Sequence, residues 1–213
     1  MKYLTTSSFV LTSLVLSGAV MAQTAAPSVP SLPVTSAAIK AYASLGYSVG
    51  GDLLVDGTYS NAGGPFTLRA GQGLQYAVGF QYQLTDRWSA QAALGYHTDR
   101  TNGDGWNFEF TRFPVEMMVH YSLNDDWRVG LGGRYSLDPK FKSLGTAEFL
   151  GTSSLNPSLG GVAEVQYMLF PSRASGNAGG LSLKLAQESF KLNGVNTLTR
   201  NGEHIAFSVF AYF

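Results

Sequence analysis

The sequence contains no cysteine, few charged residues and, after its first 22 residues, no long apolar run. The absence of cysteine excludes disulfides and thiolate metal sites. Charged residues make up 13% of the chain, and the 14 basic and 14 acidic side chains cancel. This neutrality argues against nucleic acid as a partner. No later segment approaches the roughly 18 apolar residues of a transmembrane helix.

The N-terminal residues have the composition of an export signal. Lys2 supplies a positive start, residues 9–20 form an apolar stretch, and Ala22 ends a small-residue cleavage site. Residues 23–44 are rich in Ala, Ser and Pro, a composition that disfavours helix and central strand. We therefore expect a signal peptide at 1–22, a mobile periplasmic lead-in or tether at 23–44, and one β domain at 45–213.

Apolar and polar residues alternate through this domain, most clearly from Phe113 to Leu137. Odd positions there are mainly apolar or aromatic, and even positions are mostly small, polar or charged. A period of two predicts strands, because successive side chains leave a strand on opposite faces. The apolar residues of both arms must lie on one face of the hairpin that turns at 124–126. This requires paired residues to have numbers that sum to 250, so Glu116 should lie opposite Arg134.

The alternation predicts eight antiparallel strands joined by short turns at one end and longer polar loops at the other. The predicted strands are 45–57, 68–84, 88–97, 108–123, 127–137, 159–170, 181–192 and 203–213. Short turns at one rim and longer loops at the other are typical of outer-membrane barrels, with the short turns in the periplasm. The predicted fold class is an all-β, eight-stranded, up-and-down transmembrane β-barrel.

The direction of the apolar face separates a membrane barrel from a soluble sandwich or lipocalin. The polar face is rich in glycine and charge, which makes a poor core, so we expect it to line the inside while the apolar face meets lipid. Aromatic residues also recur beside the short turns, where the pattern Y-x-L-x-D-x-W occurs at 82–88 and 121–127. This placement predicts an interfacial girdle of Tyr82, Trp88, Tyr121, Trp127 and Tyr167.

These features together resemble the small outer-membrane β-barrel family of OmpA/OmpX type. The resemblance rests on the export signal, the alternating strands, the L-x-D-x-W turns and the C-terminal Phe213, and it covers residues 45–213. It implies a Gram-negative outer-membrane location, and recognition of the last strand by the barrel-assembly machinery through Phe207, Val209 and Phe213. Ala211 departs from the pattern, because an aromatic residue is common there. We expect a monomer surrounded by outer-membrane lipid and lipopolysaccharide.

The polar face carries the candidate functional groups. By parity they are Asp52, Glu116, Arg128, Arg134, Glu164, Lys184 and Glu188, with His97, His120 and His204. The interior of an eight-stranded barrel is just wide enough to be filled by side chains. These charges are therefore expected to plug the lumen, giving a protein with a structural or surface-interaction role. The alternative is that they gate a narrow channel for small solutes.

A lipid-modifying enzyme is the third interpretation. His120-Tyr121-Ser122 has the H-x-S spacing of an outer-membrane lipid A deacylase family, but Arg134 stands where that family has its carboxylate. A histidine without an orienting carboxylate fails the logic of a catalytic triad, so we predict no catalytic residue. We also predict no metal or cofactor site, since His97 and His204 lie on non-neighbouring strands.

The longer loops hold the remaining candidates for contact with other molecules. Rigid barrels often carry function on their loops, and these loops contain aromatic and basic residues suited to lipopolysaccharide phosphates or a host surface. They are Trp106, Phe108, Lys140, Phe141 and Lys142.

Overall fold

The computed structural model describes residues 39–58, 64–101, 106–145, 148–170, 177–192 and 199–213. The predicted signal peptide and most of the predicted lead-in lie outside these residues. The elements are β1 (Ile39–Gly50), β2 (Leu53–Thr58), β3 (Pro65–Arg69), β4 (Gly73–Gln83), β5 (Trp88–Arg100), β6 (Trp106–Ser122), β7 (Trp127–Gly145), a 3-10 turn (Glu148–Leu150), β8 (Thr152–Pro157), β9 (Gly160–Phe170), β10 (Ala178–Gln187), β11 (Ser189–Leu192), β12 (Thr199–Asn201) and β13 (His204–Tyr212). No helix among the described residues is long and apolar enough to cross a membrane.

Eight of these strands close into an antiparallel barrel. The order around the wall is β1-β4-β5-β6-β7-β9-β10-β13, and β13 pairs with β1 from Tyr42↔Tyr212 to Gly50↔His204. Short turns connect β4 to β5 and β6 to β7 at one end, which we call the turn end. The opposite end carries β2, β3, β8, β11 and β12 and is called the loop end. The predicted fold class is confirmed.

The predicted register between the two arms of the central hairpin is also confirmed. Glu116 lies opposite Arg134 and Ser122 lies opposite Arg128, so the paired numbers sum to 250. A slip of one residue would have moved every apolar side chain to the inside. The alternation therefore specifies this pairing.

Apolar side chains face outward and charged ones inward. Leu131 is 70% exposed, and Val119 and Phe207 are about half exposed, whereas Arg134 is 1% exposed. A soluble sandwich or lipocalin would have the opposite arrangement. The outer face is the continuous apolar surface that a barrel presents to lipid.

The register of the β6–β7 hairpin changes near the loop end. Phe113 pairs with Leu137, but Thr111 pairs with Lys140, because β7 contains one extra residue at this point. Asp138 lies in the bulge and has a φ of 47°, in the left-handed region that few non-glycine residues adopt. Beyond the bulge, even-numbered rather than odd-numbered residues of β7 face outward.

Several predicted boundaries were wrong. The first strand begins at Ile39, so residues 39–44 belong to the barrel and not to the lead-in. The first strand also ends earlier than predicted, because Gly50 and Gly51 have φ values of 131° and 77° and turn the chain. The predicted loop between the strands at 127–137 and 159–170 is largely strand, since β7 continues to Gly145 and pairs with β8.

A small hydrophobic core covers the loop end of the barrel. The cap, as we call it, consists of β2, β3, β8, β11, β12 and the loop ends of β6 and β7. Phe108 stacks on Phe66 and Phe141, with ring centroids 6.1 and 5.7 Å away. Its buried side chains are Leu68, Ala70, Phe108, Phe110, Leu155 and Phe190. The loop end is therefore a folded unit with its own apolar core.

Leu131→Arg should lower the free energy of unfolding by about 2–4 kcal/mol, because it places a charge near the middle of the lipid-facing band. Leu123→Arg, beside the short turn, should cost about 0–1 kcal/mol, since the same charge there reaches the interface. Denaturant unfolding of protein reconstituted in lipid vesicles measures both. Equal effects at the two positions would contradict the assigned lipid-facing band.

Candidate functional site: a lumen filled by charged side chains

Ion pairs cross the middle of the lumen. Glu116 on β6 contacts Arg134 on the adjacent β7, with Oε1 2.6 Å from Nη1, and Lys184 on β10, with Oε2 2.5 Å from Nζ. Because β6 and β10 are not neighbours in the wall, the second pair spans the lumen. All three side chains are buried. Each oxygen of Glu116 thus has its own cation, as a buried carboxylate requires.

The charges continue from this point towards the loop end. Oε1 of Glu188 lies 3.2 Å from Nε of Arg134 and 3.2 Å from Nη2 of Arg112. Its other oxygen accepts a hydrogen bond from Ser136 Oγ at 2.6 Å. One ion-pair network therefore runs from Lys184 to Arg112, and it links three strands of the barrel, β6, β7 and β10.

Arg112 joins this network to the cap. Its side chain is fully buried, Nε donates to His97 Nδ1 at 3.1 Å, and Nη1 donates to the backbone carbonyl of Ala70. The guanidinium lies 5.4 Å from the ring centroid of Phe110 and 5.2 Å from that of Phe190. Cation–π contacts gain strength when water is excluded. A single side chain therefore couples the polar lumen to the aromatic cap.

A separate pair lies nearer to the turn end. His120 Nε2 is 3.0 Å from Glu164 Oε2, and both side chains are fully buried. Gly130 lies between them, opposite His120 on one side and Glu164 on the other. A Cβ added at Gly130 would come within 2.5 Å of the imidazole. The imidazole reaches across β7 only because this position has no side chain.

Aromatic and amide side chains fill the turn end. Tyr212 Oη donates to Oε1 of Gln91 at 2.9 Å and lies 3.2 Å from Oε1 of Gln166. Arg128 lies over the Tyr212 ring at 5.4 Å and donates to Gln81 Oε1 at 3.0 Å. The lumen is consequently occupied from the turn end to the cap.

The buried charges of the lumen balance. Among the described residues, the network and the His120 pair contain three cations and three carboxylates, which are Arg112, Arg134 and Lys184 with Glu116, Glu164 and Glu188. A cavity of about 20 Å³ lies beside the central ion pairs, enough for about one water molecule. It is lined by Glu116, Arg134, Lys184, Ser44, Gln75 and Ser208, among others.

Most of the predicted lumen charges face inward. Five of them form the ion pairs described above, and Arg128 lies at the turn end. Arg112 is missing from the prediction, although it has the same parity as Glu116 on the same strand. Parity alone was a sufficient signal for it.

The placement of Asp52 in the lumen was wrong. Asp52 is exposed just after β1, because the two glycines before it turn the chain out of the alternating strand. Its carboxylate accepts from the N–H of Asn201 at 2.8 Å, and its own N–H donates to the Asn201 carbonyl at 2.7 Å. Asp52 thus ties the first connection at the loop end to the last one.

The three histidines have structural surroundings. His97 and His204 are buried, with ring centroids 5.4 Å apart across the lumen. His97 Nε2 lies 3.0 Å from Ser48 Oγ and from the Gln72 carbonyl oxygen. In the described part of the chain, no three His, Asp or Glu side chains are grouped so as to hold a metal ion.

His120 does have a carboxylate partner, which the sequence spacing did not reveal. Glu164 fills that role from β9, where its distance in sequence conceals it. However, no hydrogen bond joins Ser122 to His120 among the described residues, and the imidazole is enclosed in the lumen. The pair therefore lacks the nucleophile contact that a triad needs.

The aromatic girdle residues lie on the outer wall. Trp88 contacts Tyr121 and Trp127 contacts Tyr167, each with ring centroids 4.8 Å apart. In the turn between β4 and β5, the guanidinium of Arg87 donates to the Tyr121 hydroxyl at 3.1 Å, which raises the pKa of Arg87. Tyr82, Phe207, Val209 and Phe213 are also exposed on the outside. Recognition of the last three by the assembly machinery stays a prediction.

The residues predicted to make loop contacts face in two different directions. Phe108 and Phe141 face inward and form part of the cap core, so they are not available for external contacts. Lys140 and Lys142 face outward, because the bulge at Asp138 reverses the parity of β7. The side chain of Trp106 lies outside the described residues.

Arg134→Ala should destabilise the protein by about 3–5 kcal/mol, because it leaves Glu116 and Glu188 buried with fewer cations. The temperature at which the heat-modifiable gel shift is lost measures this effect. Arg100→Ala removes a half-exposed partner of Glu109 and should cost less than about 1 kcal/mol. An unchanged transition temperature for Arg134→Ala would contradict the network.

Gly130→Ala should cost about 1–3 kcal/mol by overpacking against the imidazole. Gly133→Ala is the matched control, since the nearest atom to an added Cβ there is 3.9 Å away. Gly130→Ala should lower the free energy of unfolding by less in the His120→Ala background than in the wild type. Denaturant unfolding of these variants and of His120→Ala completes the double-mutant cycle, and additive effects would contradict the contact.

The profile of the family described as "putative MetA-pathway of phenol degradation" matches residues 35–149, more than half of the chain. No curated protein sequence matches. Among solved structures, Ail of Yersinia pestis in complex with the heparin analogue sucrose octasulfate has 13% identity and a TM-score of 0.44, over 81% of this chain and 98% of Ail.

The outer membrane protein AlkL has 14% identity and a TM-score of 0.44, over 89% of this chain and 97% of AlkL. OprG from Pseudomonas aeruginosa has 14% identity and a TM-score of 0.41, over 82% and 93%. A closed barrel with an apolar exterior is the architecture by which strands cross a bacterial outer membrane. The chain is thus a small outer-membrane β-barrel protein, and it belongs to the family described as putative MetA-pathway of phenol degradation.

Proposed function

We propose that this protein is a non-conducting outer-membrane barrel that acts at the cell surface through its cap, in a structural or surface-interaction role. The observation that carries the proposal is the continuous filling of the lumen. Tyr212 and its amide partners occupy the turn end, the Glu116 network occupies the middle, and Arg112 connects that network to the cap.

The same contacts argue against a narrow channel for small solutes. A solute path would have to separate Glu116 from Lys184, whose ion pair crosses the lumen. Removing one partner of a buried pair costs about 3–5 kcal/mol. The cavity beside this pair has about the volume of one water molecule. A closed lumen leaves the cap as the part of the molecule that other molecules can reach from outside.

The cap is suited to a surface role because it is a folded unit that is tied to the barrel. It has an apolar core, and Asp99 ties it to the barrel by accepting from the N–H of Arg69 at 3.3 Å. A rigid display lowers the entropy lost when a partner binds.

Recordings in planar bilayers test the closed lumen. Wild-type protein should show no stable unitary current. The variant Glu116→Ala/Lys184→Ala removes both members of the ion pair that crosses the lumen. It should also show no current, because the side chains at the turn end and around Arg112 still fill the lumen. Stable unitary currents from the wild type would overturn the proposal. Currents from a double variant that retains the heat-modifiable gel shift would mean that this ion pair alone closes the lumen.

A further inference from the structure

A strip of basic and hydroxyl side chains lies on the outer wall at the loop end, next to the lipid-facing band. It extends over β5, β6, β7 and β8. Its members point outward beyond the apolar band, where Glu109 and Thr111 are nonetheless buried and the others are exposed or half-buried. They are Thr98, Arg100, Thr111, Glu109, Lys140, Lys142, Thr152 and Ser154.

The bulge at Asp138 creates this strip. Without the extra residue, Lys140 and Lys142 would face the cap and Phe141 would face outward. Instead Phe141 stacks on Phe108 inside the cap, and the two lysines flank it on the outer wall. Asp138 therefore has a φ of 47°, which is uncommon for a non-glycine residue, at the position that turns Lys140 and Lys142 outward.

The strip adjoins an aromatic cluster at the edge of the apolar band. Tyr96 lies 5.2 Å from Tyr76 and 5.2 Å from Phe113, measured between ring centroids. Aromatic residues of this kind mark the level of lipid headgroups. The next outward residue on a strand lies about 7 Å further along. Lys140 and Lys142 are consequently near the level of headgroup phosphates.

The charges of the strip are only partly paired. Arg100 contacts Glu109 at 2.8 Å, and Lys140 contacts Asp138 at 2.5 Å. Lys142 has no ion-pair partner among the residues that the structure describes. Three cations and two carboxylates leave a net positive charge on this face.

The opposite wall, at β10 and β13, carries different side chains at this level. There the first outward pair beyond the exposed Leu185 and Ile205 is Gln187 with Glu203, whose side chains are 3.0 Å apart. A cationic surface beside lipid on one side of the barrel fits an anionic headgroup bound at a defined place. It does not fit a uniform ring of charge around the barrel.

We propose that this strip binds the phosphates of a phosphorylated glycolipid of the outer leaflet, of the lipid A type. Lysine ammonium groups supply point charges for phosphate, and the hydroxyls of Thr98, Thr152 and Ser154 lie among them to meet sugar hydroxyls. The strip lies on the outer face of cap strands β6, β7 and β8, so this proposal rests on the surface role proposed for the cap and specifies its partner. It does not depend on a closed lumen.

The test uses full-length protein in detergent micelles with EDTA, so that divalent ions cannot bridge phosphate to Glu109 or Asp138. The probes are lipid A and its dephosphorylated form, with binding followed by native mass spectrometry. Wild-type protein should bind lipid A more tightly than the dephosphorylated form. Lys140→Gln/Lys142→Gln should weaken lipid A binding by roughly tenfold and remove the difference between the two lipids.

Two variants serve as controls. Lys140→Arg/Lys142→Arg keeps both charges and should bind lipid A like the wild type. Arg87→Gln removes a cation at the turn end, on the opposite side of the membrane, and should leave binding unchanged. Equal binding of both lipids by the wild type, an equal loss in Arg87→Gln, or equal competition by phosphatidylglycerol would each overturn the proposal. Bilayer conductance is a separate readout, so a failure here leaves the closed lumen untouched.

Discussion

The ion pairs of Glu116 with Arg134 and Lys184 are the interaction on which the rest of the interior depends. The lumen beside the central ion pairs has room for about one water molecule, so each fully buried cation there needs a carboxylate within contact distance. Glu116 meets this need on two strands at once, and Glu188 extends the arrangement to Arg112. The alternation that places apolar side chains against lipid thus also directs the polar side chains inward, where they fill the lumen.

The same constraint accounts for the positions of small residues. Gly130 has no side chain because the imidazole of His120 must pass over it to reach Glu164. The loop end follows a different rule, since it lies beyond the apolar band and can build an ordinary hydrophobic core. Arg112 lies between the polar lumen and the apolar cap. Its guanidinium pairs with Glu188 in the lumen and packs against the rings of Phe110 and Phe190 in the cap.

Fold and role are separate questions for this protein. A closed barrel is compatible with channels, adhesive proteins and enzymes, because function depends on particular sites rather than on architecture. The filled lumen is the basis of the non-conducting role that we propose. The surfaces that remain are the cap and the outer wall next to lipid, and the bulge at Asp138 shapes both by sending Phe141 in and Lys140 out.

The sequence alone determined the barrel, its register from Glu116↔Arg134 to Ser122↔Arg128, and the inward direction of most charges, because a period of two assigns every residue to one face. It did not determine where that period is interrupted. Two glycines after β1 moved Asp52 out of the lumen, and one extra residue at Asp138 reversed the parity of two lysines. Partners across the lumen, such as Glu164 for His120 and Lys184 for Glu116, were decided only by tertiary structure, because closing the barrel brings together strands that are distant in sequence.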